Sequence, residues 1–300
     1  MKTLFHSPLV LMLCVLFFMA STSRAVIVFG GTGTQNTTAP PDDPGWNNVG
    51  VIGGGATGVY LGNSWVLTAN HVGAGSIVLA GTNYNPSGSS VRLKNPNNTD
   101  ADLLLYQILG NPLLPSVRIS SNTPANGSSV TMIGFGRNRD PNITKWDNNW
   151  LESPTGTREG YKWAPGNTMR WGQNTIIGSA FLTNFNTFTF ETKFSASLNN
   201  AEGSTGDSGG AAFFKNGLTW ELAGIIDAIA TFSGQPFDTS VYQLGVDGDR
   251  TYMADLAQYQ GQIVATVPEP QTVTLFVSGI LLLAATKLRR KTKLFQPDQD

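Results

Sequence analysis

Short apolar runs typical of β-strands recur along the chain between residues 49 and 226, and clusters of Gly, Asn, Pro and Ser separate them. Strands this short and closely spaced favour a sandwich or barrel over a sheet with crossover helices. Residues 138–174, rich in Trp, Asn, Gly and Pro, are expected to form a long irregular insert. Residues 247–260 carry Tyr252, Leu256 and Tyr259 at helical spacing, so we expect one soluble helix there. The chain is therefore predicted to be all-β with a C-terminal helix.

The first 25 residues have the pattern of a secretory signal peptide. Lys2 supplies a positive charge, Leu9 to Ala20 form an apolar stretch, and Ser23-Arg24-Ala25 places small residues at the usual cleavage positions. We therefore expect export and a mature chain that begins at Val26. Cleavage also removes Cys14, which is the only cysteine, so the mature protein can form neither a disulfide nor a cysteine metal site.

Residues 263–300 are predicted to be a separate C-terminal segment, after the leader (1–25) and a main domain (26–262). The segment contains Pro-Glu-Pro at 268–270, an uncharged and mostly apolar run at 271–286, and five Lys or Arg residues between 287 and 293. The sixteen residues of that run span about 24 Å as a helix, somewhat less than the ~30 Å hydrocarbon core of a bilayer. We expect a short transmembrane helix with the basic cluster in the cytoplasm and the main domain on the far side.

This arrangement resembles the PEP-CTERM sorting signal of bacterial exported proteins, which joins a Pro-Glu-Pro motif, a short hydrophobic helix and a basic tail. The resemblance implies processing by an exosortase-type enzyme near the motif. It also implies an anchor that is at least transient, followed by a location at the cell surface or outside the cell. The chain departs from the usual pattern because it continues from Leu294 to Asp300 beyond the basic cluster.

A glycine-rich segment at residues 206–210 places Ser208 in a turn where its hydroxyl is exposed. A serine nucleophile needs a neutral imidazole to accept its proton and a buried carboxylate to orient that imidazole. The mature chain offers one imidazole, His71, because His6 leaves with the leader. His71 follows the apolar run at 65–69, so its side chain can emerge at the end of a strand. Ser208 and His71 are therefore predicted to be the nucleophile and its base.

The carboxylate is Asp102 or Asp100, two residues apart before an apolar strand. Asp102 is favoured because direct contact with that strand best protects a triad carboxylate from water. The order His, Asp, Ser excludes two other classes of serine hydrolase. An α/β-hydrolase needs a histidine after Ser208, and none follows. A subtilisin needs its acid before the histidine, which leaves only the two acids of the Pro-rich segment 40–44.

Five segments, in this order, resemble the chymotrypsin/trypsin family of serine proteases. They are Gly58 to Val72 with its Thr-Ala-Asn-His, Asp102 to Ile108, Met132 to Gly136, Gly206 to Gly210 with its Gly-Asp-Ser-Gly-Gly, and Trp220 to Ile226. The resemblance implies two six-stranded antiparallel β-barrels with His71, Asp102 and Ser208 between them. It further implies a serine endopeptidase that needs no metal or other cofactor, with an oxyanion hole made by the amides of Gly206 and Ser208.

The same resemblance assigns roles to four further residues. Glu202, six residues before the nucleophile, falls at the floor of the substrate pocket, where an acid could bind a basic P1 side chain. Ile229 falls where relatives often have glycine, and its side chain could narrow that pocket. Asp207 matches the aspartate that pairs with a newly freed N-terminus. We therefore expect that leader cleavage exposes Val26 for this ion pair.

Two functions stay open on the sequence alone. One is an exported serine endopeptidase whose partners are protein or peptide substrates, the signal peptidase, the exosortase-type enzyme and the membrane. The other is a catalytically silent binding protein of the cell envelope or extracellular matrix with the same fold. The net charge of −1 argues against a nucleic-acid partner, because neutralising phosphates requires a basic face.

Overall fold

The computed structural model describes residues 26–267, so the leader and the predicted membrane segment (271–286) lie outside the described residues. Within 26–267 no helix is long and apolar enough to cross a membrane. The helical elements are two 3-10 turns, Trp46–Asn48 and Leu256–Gln258, and one α-helix, α1 (Gln260–Thr266). The strands are β1 (Ile27–Val28), β2 (Val49–Ile52), β3 (Ala56–Gly62), β4 (Trp65–Ala69), β5 (Ile77–Leu79), β6 (Thr82–Tyr84), β7 (Pro86–Lys94), β8 (Asp100–Ile108), β9 (Ser129–Gly134), β10 (Arg137–Arg139), β11 (Thr144–Trp146), β12 (Arg158–Asn167), β13 (Arg170–Leu182), β14 (Thr187–Lys193), β15 (Ala201–Glu202), β16 (Ala211–Asn216), β17 (Thr219–Ala230), β18 (Thr239–Leu244) and β19 (Arg250–Asp255).

The second half of the chain forms a closed antiparallel barrel in the order β13-β14-β19-β17-β16-β9. Along β13, buried and exposed residues alternate, as expected for a strand with one face on a core. Register shifts in three of the strand pairs mark β-bulges, which bend strands and help a sheet to curve. The prediction of a six-stranded barrel is confirmed for this half.

The first half forms an open seven-stranded sheet in the order β6-β5-β2-β3-β4-β8-β7. The prediction of two closed barrels is therefore wrong here, because the N-terminal half is a half-barrel. Its edge strands do not pair with each other. β7 is exposed along most of its length, begins with Pro86 and has two register shifts, and β6 has three residues. Neither edge offers the continuous ladder and apolar face that closure requires.

Residues 138–174 are more regular than predicted. Strands β10, β12 and β11 form a small sheet, and β12 also pairs with β18. The aromatic side chains of Trp146 and Tyr161 are buried, and the Arg139 guanidinium lies 3.8 Å from the centroid of the Tyr161 ring. The expectation of an irregular insert was wrong because the glycines and prolines of this segment lie within turns and bulged strands, such as at Gly160.

The single α-helix of the described region begins later than predicted. Residues 250–255, expected to be helical, form β19, which pairs with both β14 and β17 and so completes the barrel. Pairing on both sides outweighs the helical spacing of Tyr252, Leu256 and Tyr259, because strand formation depends on tertiary partners. The helix α1 follows and buries Ile263.

One hydrophobic core runs through both halves. Val59 and Leu105 of the open sheet belong to the same cluster of buried side chains as Phe213 and Leu222 of the barrel, and Ile263 of α1 completes it. Continuous packing of this kind resists relative movement of its parts. The junction between the two halves is therefore a firm base for side chains contributed by both.

Candidate active site

The candidate nucleophile, Ser208, lies in the turn that joins β15 to β16. Gly209 has a φ of +84°, and a Cβ there would collide with the Thr57 carbonyl oxygen and the Thr68 hydroxyl, so only glycine fits. The Thr57 amide donates to the Ser208 carbonyl oxygen over 3.0 Å, and the Gly209 amide donates to the Ile226 carbonyl oxygen over 2.8 Å. The turn is thus bonded to β3 of the open sheet and to β17 of the barrel.

His71 and Asp102 come together from neighbouring strands of the open sheet. His71 lies just beyond β4, and Asp102 lies within β8. The two side chains are joined by a hydrogen bond of 2.5 Å between His71 Nδ1 and Asp102 Oδ2, and the His71 amide donates to Asp102 Oδ1 over 2.8 Å. The Asp102 side chain is 5 % exposed, whereas that of His71 is 36 % exposed. A buried carboxylate thus fixes the imidazole through Nδ1 and leaves Nε2 as the free ring nitrogen.

The two candidate carboxylates differ in their surroundings. Burial alone would raise the pKa of Asp102, but its interactions with His71, and to a smaller extent with the neighbouring Asp227, outweigh burial and hold that pKa below its ordinary value. Asp102 is therefore ionised at neutral pH. Asp100 is exposed and pairs with Lys94 over 2.7 Å, and this bond lowers its pKa. The structure places Asp102 against His71 and leaves Asp100 on the surface.

Two amides of the nucleophile turn are unused. The amides of Asp207, Gly209 and Gly210 donate to backbone carbonyl oxygens, whereas those of Gly206 and Ser208 donate to no protein group among residues 26–267. The Asp207 carbonyl oxygen, which shares a peptide group with the Ser208 N–H, accepts a hydrogen bond of 2.8 Å from the Gly210 amide, and this bond fixes that peptide plane. Two free N–H groups on one fixed turn can stabilise a negatively charged oxygen near the Ser208 hydroxyl.

Ser208 and His71 are linked through the backbone frame rather than by a direct hydrogen bond. The hydrogen bonds of the described residues include none to the Ser208 hydroxyl. Thr68, three residues before His71, donates to the Thr57 carbonyl oxygen over 2.7 Å, and Thr57 in turn holds Ser208. Nucleophile–base contacts are often long in the absence of substrate.

Asp207 and Val26 lie together in the interior. One oxygen of the Asp207 carboxyl group accepts hydrogen bonds of 2.8 and 2.9 Å from the amide and hydroxyl of Ser204. The backbone nitrogen of Val26 also bonds to this carboxyl group, and Val26 is 1 % exposed. Burial raises the pKa of Asp207 to about 7, against the opposing effect of the Ser204 and Val26 hydrogen bonds. The structure thus brings together the two residues of the predicted ion pair.

The structure places Ile229, one of the two predicted pocket residues, next to Gly203, which follows the other one, Glu202, in the sequence. Glu202 is fully buried in β15, opposite Ile27 of β1. Burial, and then the charge of Asp249, raise the pKa of Glu202 well above its ordinary value, so its carboxyl group is neutral. Beside it, the position of a Cβ on Gly203 is only 3.4 Å from the Ile229 side chain. Ile229 therefore packs against Gly203, and the Glu202 side chain is shielded from solvent.

Sequence reasoning missed one acidic residue at this site, Asp227. Its side chain is fully buried on β17, and its Oδ1 lies 3.8 Å from His71 Nδ1. Burial, and then the neighbouring Asp102, raise the pKa of Asp227 to about 9. One signal in the sequence could have found it. An aspartate inside the apolar run 222–229 is expected to be buried, and a buried acid needs a hydrogen-bond partner nearby.

The same three side chains are of the residue types that bind metal ions. Among residues 26–267, the ligand atoms of His71, Asp102 and Asp227 all lie within 4.8 Å of one another, which is close enough to surround an ion. However, the 2.5 Å hydrogen bond between His71 and Asp102 occupies the space between two of those atoms. This arrangement suits the orientation of an imidazole better than the binding of a metal.

Comparison with known proteins gives one family. The model of the trypsin family matches residues 34–244. Among solved structures, the chain is similar to the Rv3671c protease of M. tuberculosis in its inactive form, at 14 % identity and a TM-score of 0.44, covering 74 % of this chain and 90 % of that chain. It is also similar to kallikrein-related peptidase 10 in complex with Zn²⁺, at 15 % identity and a TM-score of 0.47, covering 77 % and 98 %. Human heparin binding protein is 14 % identical with a TM-score of 0.48, covering 79 % and 98 %. None of the curated proteins matches the sequence.

Proposed function

Because the chain belongs to the trypsin family, we propose that it is an exported serine endopeptidase with Ser208 as its nucleophile. The observation that carries this proposal is the buried Asp102 carboxylate bound to both the Nδ1 and the amide of His71. The ring is oriented by a buried acid and yet partly open to solvent, as a general base must be. The turn that holds Ser208 is bonded to both halves of the protein at the same junction.

In the proposed first half-reaction, the Ser208 oxygen attacks the carbonyl carbon of a peptide bond while His71 Nε2 takes the hydroxyl proton. The carbonyl oxygen becomes an oxyanion, which the amides of Gly206 and Ser208 stabilise. His71 then donates the proton to the leaving amine as the C–N bond breaks, and an ester on Ser208 remains. Asp102 stays ionised throughout and stabilises the imidazolium.

In the second half-reaction, water attacks the ester carbon while His71 takes one of its protons. Collapse of the second tetrahedral intermediate returns this proton to the Ser208 oxygen and releases the carboxylic acid product. The reaction balances with peptide and water alone. Each oxyanion donor is expected to contribute a factor of roughly 100 to 1,000 to the rate.

The proposal includes a route out of the cytoplasm. Signal peptidase would cut before Val26, and residues 271–286 would anchor the protein in the membrane until an exosortase-type enzyme acts near the Pro-Glu-Pro motif. The buried Val26 nitrogen beside Asp207 supports the first cleavage, because a chain that starts at Val26 places an ammonium group against a buried carboxylate. The intact mass of the exported protein tests both cleavages.

The proposed substrates are proteins or peptides with a small P1 side chain. Ile229 packs against Gly203 where a larger P1 side chain would have to enter. Glu202, the residue before Gly203, is buried and neutral, so it offers no exposed charge to a basic side chain. Cleavage-site profiling on a peptide library tests this preference, and efficient cleavage after Lys or Arg would contradict it.

Labelling with a fluorophosphonate tests the enzyme proposal. We expect the wild-type protein to carry the adduct on Ser208 and to hydrolyse casein. Ser208→Ala should do neither, and Ser197→Ala, which changes an exposed serine, should behave as wild type. A folded wild-type protein that neither reacts nor hydrolyses casein would instead support the catalytically silent binding protein.

A further inference from the structure

Asp227 has no part in the mechanism above, yet it lies beside the acid that orients the base. Both of its carboxyl oxygens are buried, and neither accepts a hydrogen bond from any donor among residues 26–267. We propose that Asp227 is a neutral carboxylic acid that donates a hydrogen bond to the Asp102 carboxylate and acts as a positioning residue for the His71–Asp102 pair. The catalytic part of this inference rests on the proposed function, whereas the protonation state of Asp227 does not.

The two neighbouring carboxyl groups are not equivalent. Asp102 accepts two N–H hydrogen bonds from His71, of 2.8 and 2.5 Å, and both stabilise its ionised form. Asp227 accepts none and is removed from solvent. Two buried carboxyl groups whose oxygens lie within 4.8 Å of each other cannot both ionise at neutral pH, so the shared proton belongs to the group without donors. A protonated Asp227 can donate a hydrogen bond to Asp102. This bond gives the buried Asp227 side chain a partner, which its ionised form would lack.

Among residues 26–267, no other titratable group that faces Asp227 is placed to neutralise a charge on it. The titratable groups around it are His71, Asp102 and the Tyr259 hydroxyl. That hydroxyl already donates to Asn95 over 2.7 Å and accepts from a backbone amide, so its proton is committed elsewhere. Burial raises the pKa of Asp227 to about 9, in agreement with the neutral form.

The neutral form matters for His71. An ionised Asp227 with its Oδ1 3.8 Å from Nδ1 would raise the proton affinity of the imidazole by roughly a thousandfold at an effective dielectric constant near 20. His71 would then stay protonated and could not accept the Ser208 proton. A neutral Asp227 holds Asp102 in place without adding that charge.

The protonation state can be measured directly, because His71 is the only histidine outside the leader. We suggest labelling the full chain with ¹⁵N-histidine, purifying it from the exported fraction, and following the His71 ring nitrogens by NMR against pH. The signals are assigned by their loss in His71→Asn. Asp227→Asn, which is neutral and keeps an N–H donor, should change the proton affinity of His71 less than about threefold. A fall of more than tenfold would show that Asp227 is ionised and would overturn the proposal.

Kinetics test the positioning role. Asp227→Asn should keep kcat within about threefold, whereas Asp227→Ala should lower kcat by about tenfold to a hundredfold with little change in KM, since it removes a donor to a charged acceptor. Equal kcat values for two folded variants would overturn that role. If Asp227→Ala does not fold, the folded Asp227→Asn variant decides by itself, because a loss of kcat of more than tenfold in that variant overturns the role. Failure of the wild type to react with a fluorophosphonate would overturn the proposed function, and the NMR titration would still decide the state of Asp227.

Discussion

The contact between the Val26 nitrogen and Asp207 predicts that leader cleavage stabilises the fold. The perturbation is a short glycine extension before Val26, which replaces the terminal ammonium by an amide. With an amide at this position, burial raises the pKa of Asp207 from its ordinary value of 3.8 to about 7. A rise of this size corresponds to about 4 kcal/mol, which is the cost of ionising the buried carboxyl group above pH 7. In the chain that begins at Val26, the ammonium offsets this cost.

The sign of the pH dependence follows from the raised pKa. Between about pH 4 and pH 7 the folded extended chain holds a proton on Asp207 that the unfolded chain has released, so its stability falls as the pH rises through this window. We expect urea unfolding to show that the extended chain loses about 4 kcal/mol of unfolding free energy across this pH window, and that the chain beginning at Val26 does not. The extended chain should also lose most of its reactivity toward a fluorophosphonate, because the turn that holds Ser208 contains Asp207.

Two controls isolate this effect. Burial also raises the pKa values of Asp227 and Asp249, but these groups are common to both chains and cancel in the difference. Asp207→Asn in the extended chain should remove the additional pH dependence. The same pH dependence of unfolding for the extended chain and the chain that begins at Val26 would refute the reasoning.

Three further predictions concern the turn, the pocket and the base. Gly209→Ala should lower the free energy of unfolding by more than about 3 kcal/mol, because the added Cβ collides with backbone atoms. Gly54→Ala, at a similar φ but in open space, should lower it by only about 1–2 kcal/mol. Equal losses for the two variants in urea unfolding would contradict this prediction. Ile229→Gly should improve cleavage of peptides with Lys or Arg at P1 roughly tenfold or more, and an unchanged preference in a peptide library would count against the pocket assignment. Peptidase activity should fall on acidification, because a histidine general base acts only in its neutral form, and a flat profile down to about pH 4 would exclude a histidine base.

The pairing of His71 with Asp102 could be predicted because its signals are local. Outside the predicted leader the chain has one histidine, and Asp102 directly precedes a predicted buried strand. The glycines around Ser208 likewise indicate a turn by themselves. Asp227 could not be placed in the same way, because its partner lies on β8, far away in the sequence, and nothing near Asp227 indicates that contact.

The errors in the fold have the same origin. The open first half depends on whether β6 and β7 meet, which no local pattern indicates. Residues 250–255 have a spacing compatible with a helix, and only the pairing of β19 with two strands decides in favour of extended structure. Both outcomes are set by partners distant in the sequence.

The most direct test of the central claim is the pre-steady-state reaction of the protein with a p-nitrophenyl ester, followed by mass spectrometry of the trapped intermediate. We predict a burst of nitrophenol equivalent to one acyl group per chain, with the acyl group on Ser208 and no burst in His71→Asn. Turnover without a burst and without an acyl group on Ser208, or acylation of another residue in the folded protein, would contradict the proposed mechanism.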